Sequence, residues 1–315
     1  VSEALLRAHI SLAQLEGGET WWSQILNFTN YGDLVVLFRN TIFTGLVLGL
    51  LGGLIGIFVL TRDLAFAVHG ISELSFAGGA AGLLFGFGVV EGSLAGSLVA
   101  ALLVGILGSK AHDRNSIIAV LMPFGLGLGI LCLALYPGRA SNKFGLLTGQ
   151  IVAVDDGRLG AVAAIASVVI VGLIVVWRPL MFASVDADVA TARGVPVRML
   201  SVAFMLMLGL AVAVSVQVVG ALLVLSILVT PAAAALRVSS SPIIAPLLSM
   251  AFAVVSLVGG IMLALGGSLP ISPYVTTISF LIYVVCRLIT ARASRRGLTG
   301  RVFRRPGVGV ENGES

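Results

Sequence analysis

A chain of 315 residues with 58% hydrophobic and 10% charged residues, and a mean hydropathy of +1.10, cannot cover a water-facing surface; a soluble domain carries roughly 25% charged residues. Its net charge of +5 does not indicate nucleic acid, because the densest basic run (Arg287, Arg292, Arg295, Arg296, Arg301, Arg304, Arg305) starts at the end of the last apolar segment and continues beyond it, as the positive-inside rule places it. The two cysteines, Cys132 and Cys286, both lie in apolar segments and offer neither a disulfide framework nor a metal-cluster spacing.

Residues 1–34 read as an extracytoplasmic or interfacial segment. Glu3, Arg7, Glu16 and Glu19 leave no signal-peptide core, and Trp21-Trp22 suits the headgroup level. Nine apolar segments follow, at Val35–Leu60, Leu64–Val90, Ser93–Gly108, Ile117–Tyr136, Leu159–Trp177, Val197–Gln217, Val218–Leu236, Ile243–Leu265 and Tyr274–Ile289. A membrane crossing takes about 20 apolar residues. The least defined split is at Gln217, so the count is about nine, within eight to ten. Residues 35–290 therefore read as one all-α polytopic transmembrane bundle, and 291–315 as a basic cytoplasmic tail.

Placing that tail in the cytoplasm puts Arg62, Lys110, Arg114, Arg178, Arg193, Arg198 and Arg237 on the same side for nine spans. Only Arg7, Arg39, Arg139, Lys143 and Arg158 remain outside, which favours this orientation. Gly45, Gly49 and Gly53, and then Gly78, Gly82 and Gly86, recur at every fourth residue. Small residues at that spacing let helix backbones approach closely in lipid.

The second segment carries His69 and Glu73, four residues apart and so on one helix face. Counted from Asp63 at about 1.5 Å per residue, they lie roughly 9 Å and 15 Å into the helix. A charge near the bilayer centre costs at least about 2.5–3.5 kcal/mol, so such residues usually mark a pathway or relay. Imidazole plus carboxylate suits a first-row divalent ion; a structural pair, or bonds to Ser72 or Ser75, is the alternative. A homodimer would supply both groups twice around a two-fold axis.

Between Trp177 and Val197, Ser184, Asp186 and Asp188 precede an alanine-rich run that stops at Gly194 and Pro196. This is the punctuation of a short capped helix, on the side assigned to the cytoplasm, where a partner could grip it. His112-Asp113 reads as a solvated turn, Asp155-Asp156 as a helix cap, and Gln217 as an isolated amide. No Walker loop, HExxH or GxSxG occurs, so transport energy must come from a partner or an ion gradient, and no catalytic set is present.

Three stretches resemble the membrane subunits of zinc/manganese-type ABC importers, over roughly residues 35–290. Phe182 to Val197 is similar to the family's coupling helix, at about 182–195. Val219-Gly220-Ala221-Leu222-Leu223-Val224 through Pro231-Ala232-Ala233-Ala234-Ala235 is similar to its V-G-x-L-L-V…P-A-A-x-A segment. Arg62 matches an arginine at the start of the metal-carrying helix, but His69 stands where the family has an aspartate and Glu73 where it has a histidine. The resemblance implies a homodimeric type II ABC importer bundle in the bacterial cytoplasmic membrane, moving manganese or zinc and holding no permanent cofactor. His69 and Glu73, with Asp113 as a weaker candidate, would line the metal pathway; Ser184, Asp186, Asp188, Arg193 and Gly194 would couple to cytoplasmic ATP-binding subunits. An extracytoplasmic metal-binding protein completes the expected partners. A type II permease for a metal chelate or other solute is the nearest alternative, and a membrane enzyme or scaffold subunit the more distant one.

Overall fold

The structure is a computed structural model that describes residues 31–108, 111–138, 154–266 and 270–301, with the backbone alone for 111–113, 222 and 293–301. Every element among the described residues is helical: α1 (Tyr31–Leu37), α2 (Arg39–Thr61), α3 (Ala65–Phe85), α4 (Val89–Leu107), α5 (Ala111–Leu135), α6 (Asp156–Val175), α7 (Trp177–Val185), α8 (Ala187–Ala192), α9 (Val197–Val219), α10 (Ala221–Val238), α11 (Ile244–Leu265) and α12 (Ile271–Arg301). In hydrocarbon the backbone must satisfy its own polar groups, and a long apolar sequence does so as a helix.

Each of the nine apolar segments coincides with one of the long helices. Seven are long and apolar enough to cross a membrane: α2, α4, α5 from Arg114, α6, α9, α11 and α12 to Arg292. The apolar part of α10, Leu223–Val238, is shorter and makes an eighth candidate. The expected count of about nine thus becomes seven to eight by length and composition. The difference lies at α3, whose 21 residues include His69, Ser72, Glu73 and Ser75.

The helix boundaries also refine the sequence reading. The split near Gln217 falls three residues later, at Gly220, whose φ of +84° suits glycine and lets α9 end and α10 begin with no loop. Helix α1 runs across the expected boundary at residue 34, and α12 continues past 290 to Arg301. The Trp21-Trp22 segment lies outside the described residues.

The glycine ladders seat particular neighbours. Gly45, Gly49 and Gly53 of α2 face Ile261, Val254 and Met250 of α11, while a Cβ on Gly56 would strike the Leu228 carbonyl oxygen of α10. Gly78 and Gly92 meet backbone to backbone where α3 crosses α4, and Gly96 lies against the Leu74 carbonyl. Two central helices, α2 and α3, are thereby held by backbone contact. The core they enclose includes the fully buried Phe58, Phe76, Ile55, Ile71, Phe204 and Leu208. Outward-facing apolar residues such as Phe124, Ile130, Leu131, Phe280 and Leu288 remain exposed, as suits a surface that meets lipid or a second subunit.

Candidate functional site

Helix α3 leaves α2 through a three-residue turn, Arg62-Asp63-Leu64, with Asp63 at φ +54°. His69 and Glu73 then occupy the fifth and ninth of its 21 positions. The helix is deeply packed: α5 closes one side, with Gly125 against the backbone of Glu73 and Leu74, and Gly129 against Phe76. Helix α4 closes another side through the Gly78–Gly92 crossing.

This packing buries Glu73, whose side chain is 4% exposed, beside His69 at 28%. His69 Nε2 stands 3.7 Å from Glu73 Oε1, near enough for ion pairing but too long for a good hydrogen bond. The other polar atoms, His69 Nδ1 and Glu73 Oε2, are buried without a hydrogen-bond partner. Ser72 Oγ instead donates to the His69 carbonyl at 2.8 Å, and Ser75 Oγ to the Ser93 carbonyl at 3.1 Å. The serine alternative raised by the sequence is therefore not taken up by these side chains. Among the described residues no third histidine, cysteine or acidic residue joins the pair. Asp113 falls in the first turn of α5, and its side chain lies outside the described residues.

At the end of the bundle where α2 gives way to α3, the expected single capped helix is instead a pair. Ser184 belongs to the last turn of α7, where its Oγ donates to the Leu180 carbonyl at 2.6 Å, so it is not the cap. Asp186 is: its Oδ1 accepts from the N–H groups of Asp188 at 3.1 Å and Val189 at 3.0 Å. This bond stabilises a fresh helix start and breaks the segment in two. Asp188 and Arg193 are exposed, at the first turn and C-cap of α8, and Gly194 has a φ of +82°. The Gly194 N–H donates to Thr191 and that of Val195 to Ala190, closing the helix end.

One residue of this region, marked in the sequence by the charge pattern and by the family resemblance, has structural partners that neither reading named. Arg62 donates through Nη2 to Ser201 Oγ of α9 at 2.6 Å, and through Nη1 to Ser184 Oγ of α7 at 3.5 Å. Its guanidinium lies over the Phe204 ring, 5.6 Å from the centroid. Arg114 of α5 donates to the carbonyls of Arg62 and Asp63 at 3.4 and 3.5 Å. Burial, with Arg114 nearby, pulls the Arg62 pKa below the usual guanidinium range. The partners of Arg62 are 122 and 139 residues away, which sequence spacing cannot reveal.

At the opposite end Asp155 caps α6 by accepting from the Arg158 N–H at 3.0 Å, as its position suggested. Gln217 lies within α9, its Nε2 buried without a partner. It borders a cavity of about 390 Å³ that Asp155 and Arg158 also line.

The described residues thus form a polytopic helical bundle with an imidazole–carboxylate pair inside it and a short helix pair at one end. The model of the ABC 3 transport family matches residues 35–290, and the chain belongs to that family. It is thus a multi-pass permease subunit of an ABC transporter, without catalytic machinery of its own. The manganese transport system membrane protein MntC of Halalkalibacterium halodurans is 26% identical over 239 residues, covering 75% of this chain and 82% of the relative. The manganese import system permease ScaB of Streptococcus gordonii is 25% identical over 255 residues, covering 81% and 91%. In fold the chain is similar to PsaBC from Streptococcus pneumoniae in complex with Fab, with a TM-score of 0.73 and 23% identity over 82% of this chain and 94% of that one. The architecture is that of type II ABC importer permeases.

Proposed function

We propose that this permease moves a divalent transition-metal ion, manganese in the first instance, inward across the bacterial cytoplasmic membrane. It works as a homodimer with two cytoplasmic ATP-binding subunits and an extracytoplasmic metal-binding protein. The observation that carries the reading is the His69–Glu73 pair, the carboxylate buried and the imidazole half-buried, with Nδ1 and Oε2 unpartnered. A protein does not gain stability from an acid and an imidazole left half-satisfied in the membrane; a passing cation gives them a role.

The spacing supports the same reading. Two ligands about 2.1 Å from one ion stand roughly 3.0–3.6 Å apart for angles of 90–120°, close to the 3.7 Å between Nε2 and Oε1. One chain offers two ligands, and a second copy would bring two more across a two-fold axis. The carboxylate supplies charge that offsets the ion's lost hydration, and the neutral imidazole supplies a lone pair. Helix α3 is taken as a ninth crossing that sacrifices hydropathy to carry them. The curated relatives named for manganese transport support the choice of ion.

The test is metal uptake by a host whose only high-affinity system is this permease with its cognate subunits, offered Mn²⁺, Zn²⁺, Fe²⁺ or a ferric chelate in turn. ATP-dependent accumulation of Mn²⁺ above the other three is expected. Accumulation of the chelate alone would contradict the proposal.

A further inference from the structure

Arg62 sits where four elements meet. It ends α2, opens the turn into α3, and reaches Ser201 of α9 and Ser184 of α7 with its two Nη atoms. Beneath it, Phe58 of α2 packs edge-on against Trp177 of α7 with centroids 4.9 Å apart, and against Phe204 of α9 at 5.9 Å. The same Phe204 ring carries the guanidinium. On the far side Arg114 grips the carbonyls of Arg62 and Asp63 from α5. A planar guanidinium with several fixed donors can bond two helices at once, as an ammonium cannot.

Helix α8 is tied to this point through its neighbours. It follows α7 after the single residue Asp186 and runs into α9 through Gly194–Pro196. Beside it lies a cavity of about 570 Å³ lined by Gly108, Arg114, Asp188, Thr191, Val197 and Ser201, among others. Joined to α7 and α9 by the chain itself, α8 passes a push on to both. The α7 and α9 routes both end on the Arg62 guanidinium.

Resting on the transport reading above, we infer that Arg62 is a positioning residue that links the α7–α8 pair to the pathway helix α3. When α7 and α9 shift together, the bonds to Ser184 and Ser201 carry the Arg62-Asp63-Leu64 turn with them. His69 lies within two helical turns of that turn, so the pair of ligands moves with it. Arg62 touches no ion and makes no ligand; its effect is on the yield of transport per ATP.

The experiment reconstitutes the complete complex, with its ATP-binding subunits and binding protein, in proteoliposomes and measures metal imported per ATP hydrolysed. Arg62→Gln is expected to lower that ratio about tenfold, the scale of one charged hydrogen bond, while the complex assembles and hydrolyses ATP. Arg62→Lys, which keeps the charge but not the fork, recovers part of the loss. Ser201→Ala, which removes one acceptor, lowers the ratio in the same direction by a smaller factor. A purely structural role would reduce assembly and hydrolysis together and leave the ratio unmoved, and that result overturns the link. If Arg62→Gln does not assemble, Ser201→Ala decides alone, and a wild-type ratio in it overturns the link. A wild-type complex that hydrolyses ATP but imports no metal overturns the transport reading, and the link with it; coupled wild type with equally coupled variants overturns the link alone.

Discussion

Glu73 sets function against stability within one side chain. Its Oε2 is buried without a partner, and such an acceptor costs about 1–3 kcal/mol. Glu73→Leu fills a similar volume without that cost. It is expected to raise the thermal midpoint of the complex in detergent by a few degrees while abolishing metal uptake. A thermal melt and an uptake assay on the same preparation check both halves; a lowered midpoint would mean the carboxylate is structurally satisfied. Ser93 supplies a contrast. Its hydroxyl is also buried and unpartnered, but its carbonyl accepts from Ser75 and so fastens α3 to α4. Ser93→Ala keeps that carbonyl and removes the unpartnered hydroxyl, so it is expected to leave uptake near wild type and to raise the thermal midpoint slightly.

Among the helices, close approach and capping decide which substitutions are tolerated. At the α3–α4 crossing a Cβ on Gly78 would overlap the Gly92 carbonyl oxygen, and one on Gly96 would overlap that of Leu74. Backbone cannot swing aside as a side chain can. Gly78→Ala or Gly96→Ala is expected to cost about 1–3 kcal/mol, as overpacking does, and to lower the yield of folded permease. Gly160→Ala in α6, with nothing within 4 Å, is expected to be neutral or to stabilise by up to about 1 kcal/mol through helix propensity. Fluorescence-detected size exclusion after heating separates the two outcomes. In α8 the cap and the charge of Asp186 come apart in the same way. Asn caps as well as Asp, whereas Ala removes the bonds to the Asp188 and Val189 N–H groups at about 1 kcal/mol. Asp186→Asn is therefore expected to retain the ATP-binding subunits on co-purification, and Asp186→Ala to retain roughly fivefold less.

Across the whole molecule, what the sequence disclosed is what lies close along the chain. Nine apolar runs became nine long helices, and the four-residue spacing of His69 and Glu73 put them side by side on α3. The capped turn near Asp186 was visible, although its division into α7 and α8 depends on a bond that composition does not show. Long-range pairing was hidden. The glycines of α2 announce close packing but do not say that α11, some 200 residues later, is what they receive, and nothing near Arg62 names Ser184 or Ser201. A second copy's share of the proposed ion site is hidden for a different reason, since a two-fold axis lies outside any single chain. Arg62, Arg114, Ser184 and Ser201 gather at one end of the bundle, which the charge-based reading assigns to the cytoplasm, and Asn40 bonds Asp156 at 2.7 Å at the other. A cysteine at Gly157 should accordingly react with an impermeant maleimide in intact cells, and one at Ser239 only in inverted vesicles; the reverse pattern would invert the orientation. The most direct test of the account is ATP-dependent Mn²⁺ uptake by His69→Ala and Glu73→Gln complexes that assemble as wild type does. The account predicts a loss of at least about tenfold in each, since losing even a partner of a metal ligand costs that much. Uptake at the wild-type rate in both would contradict it.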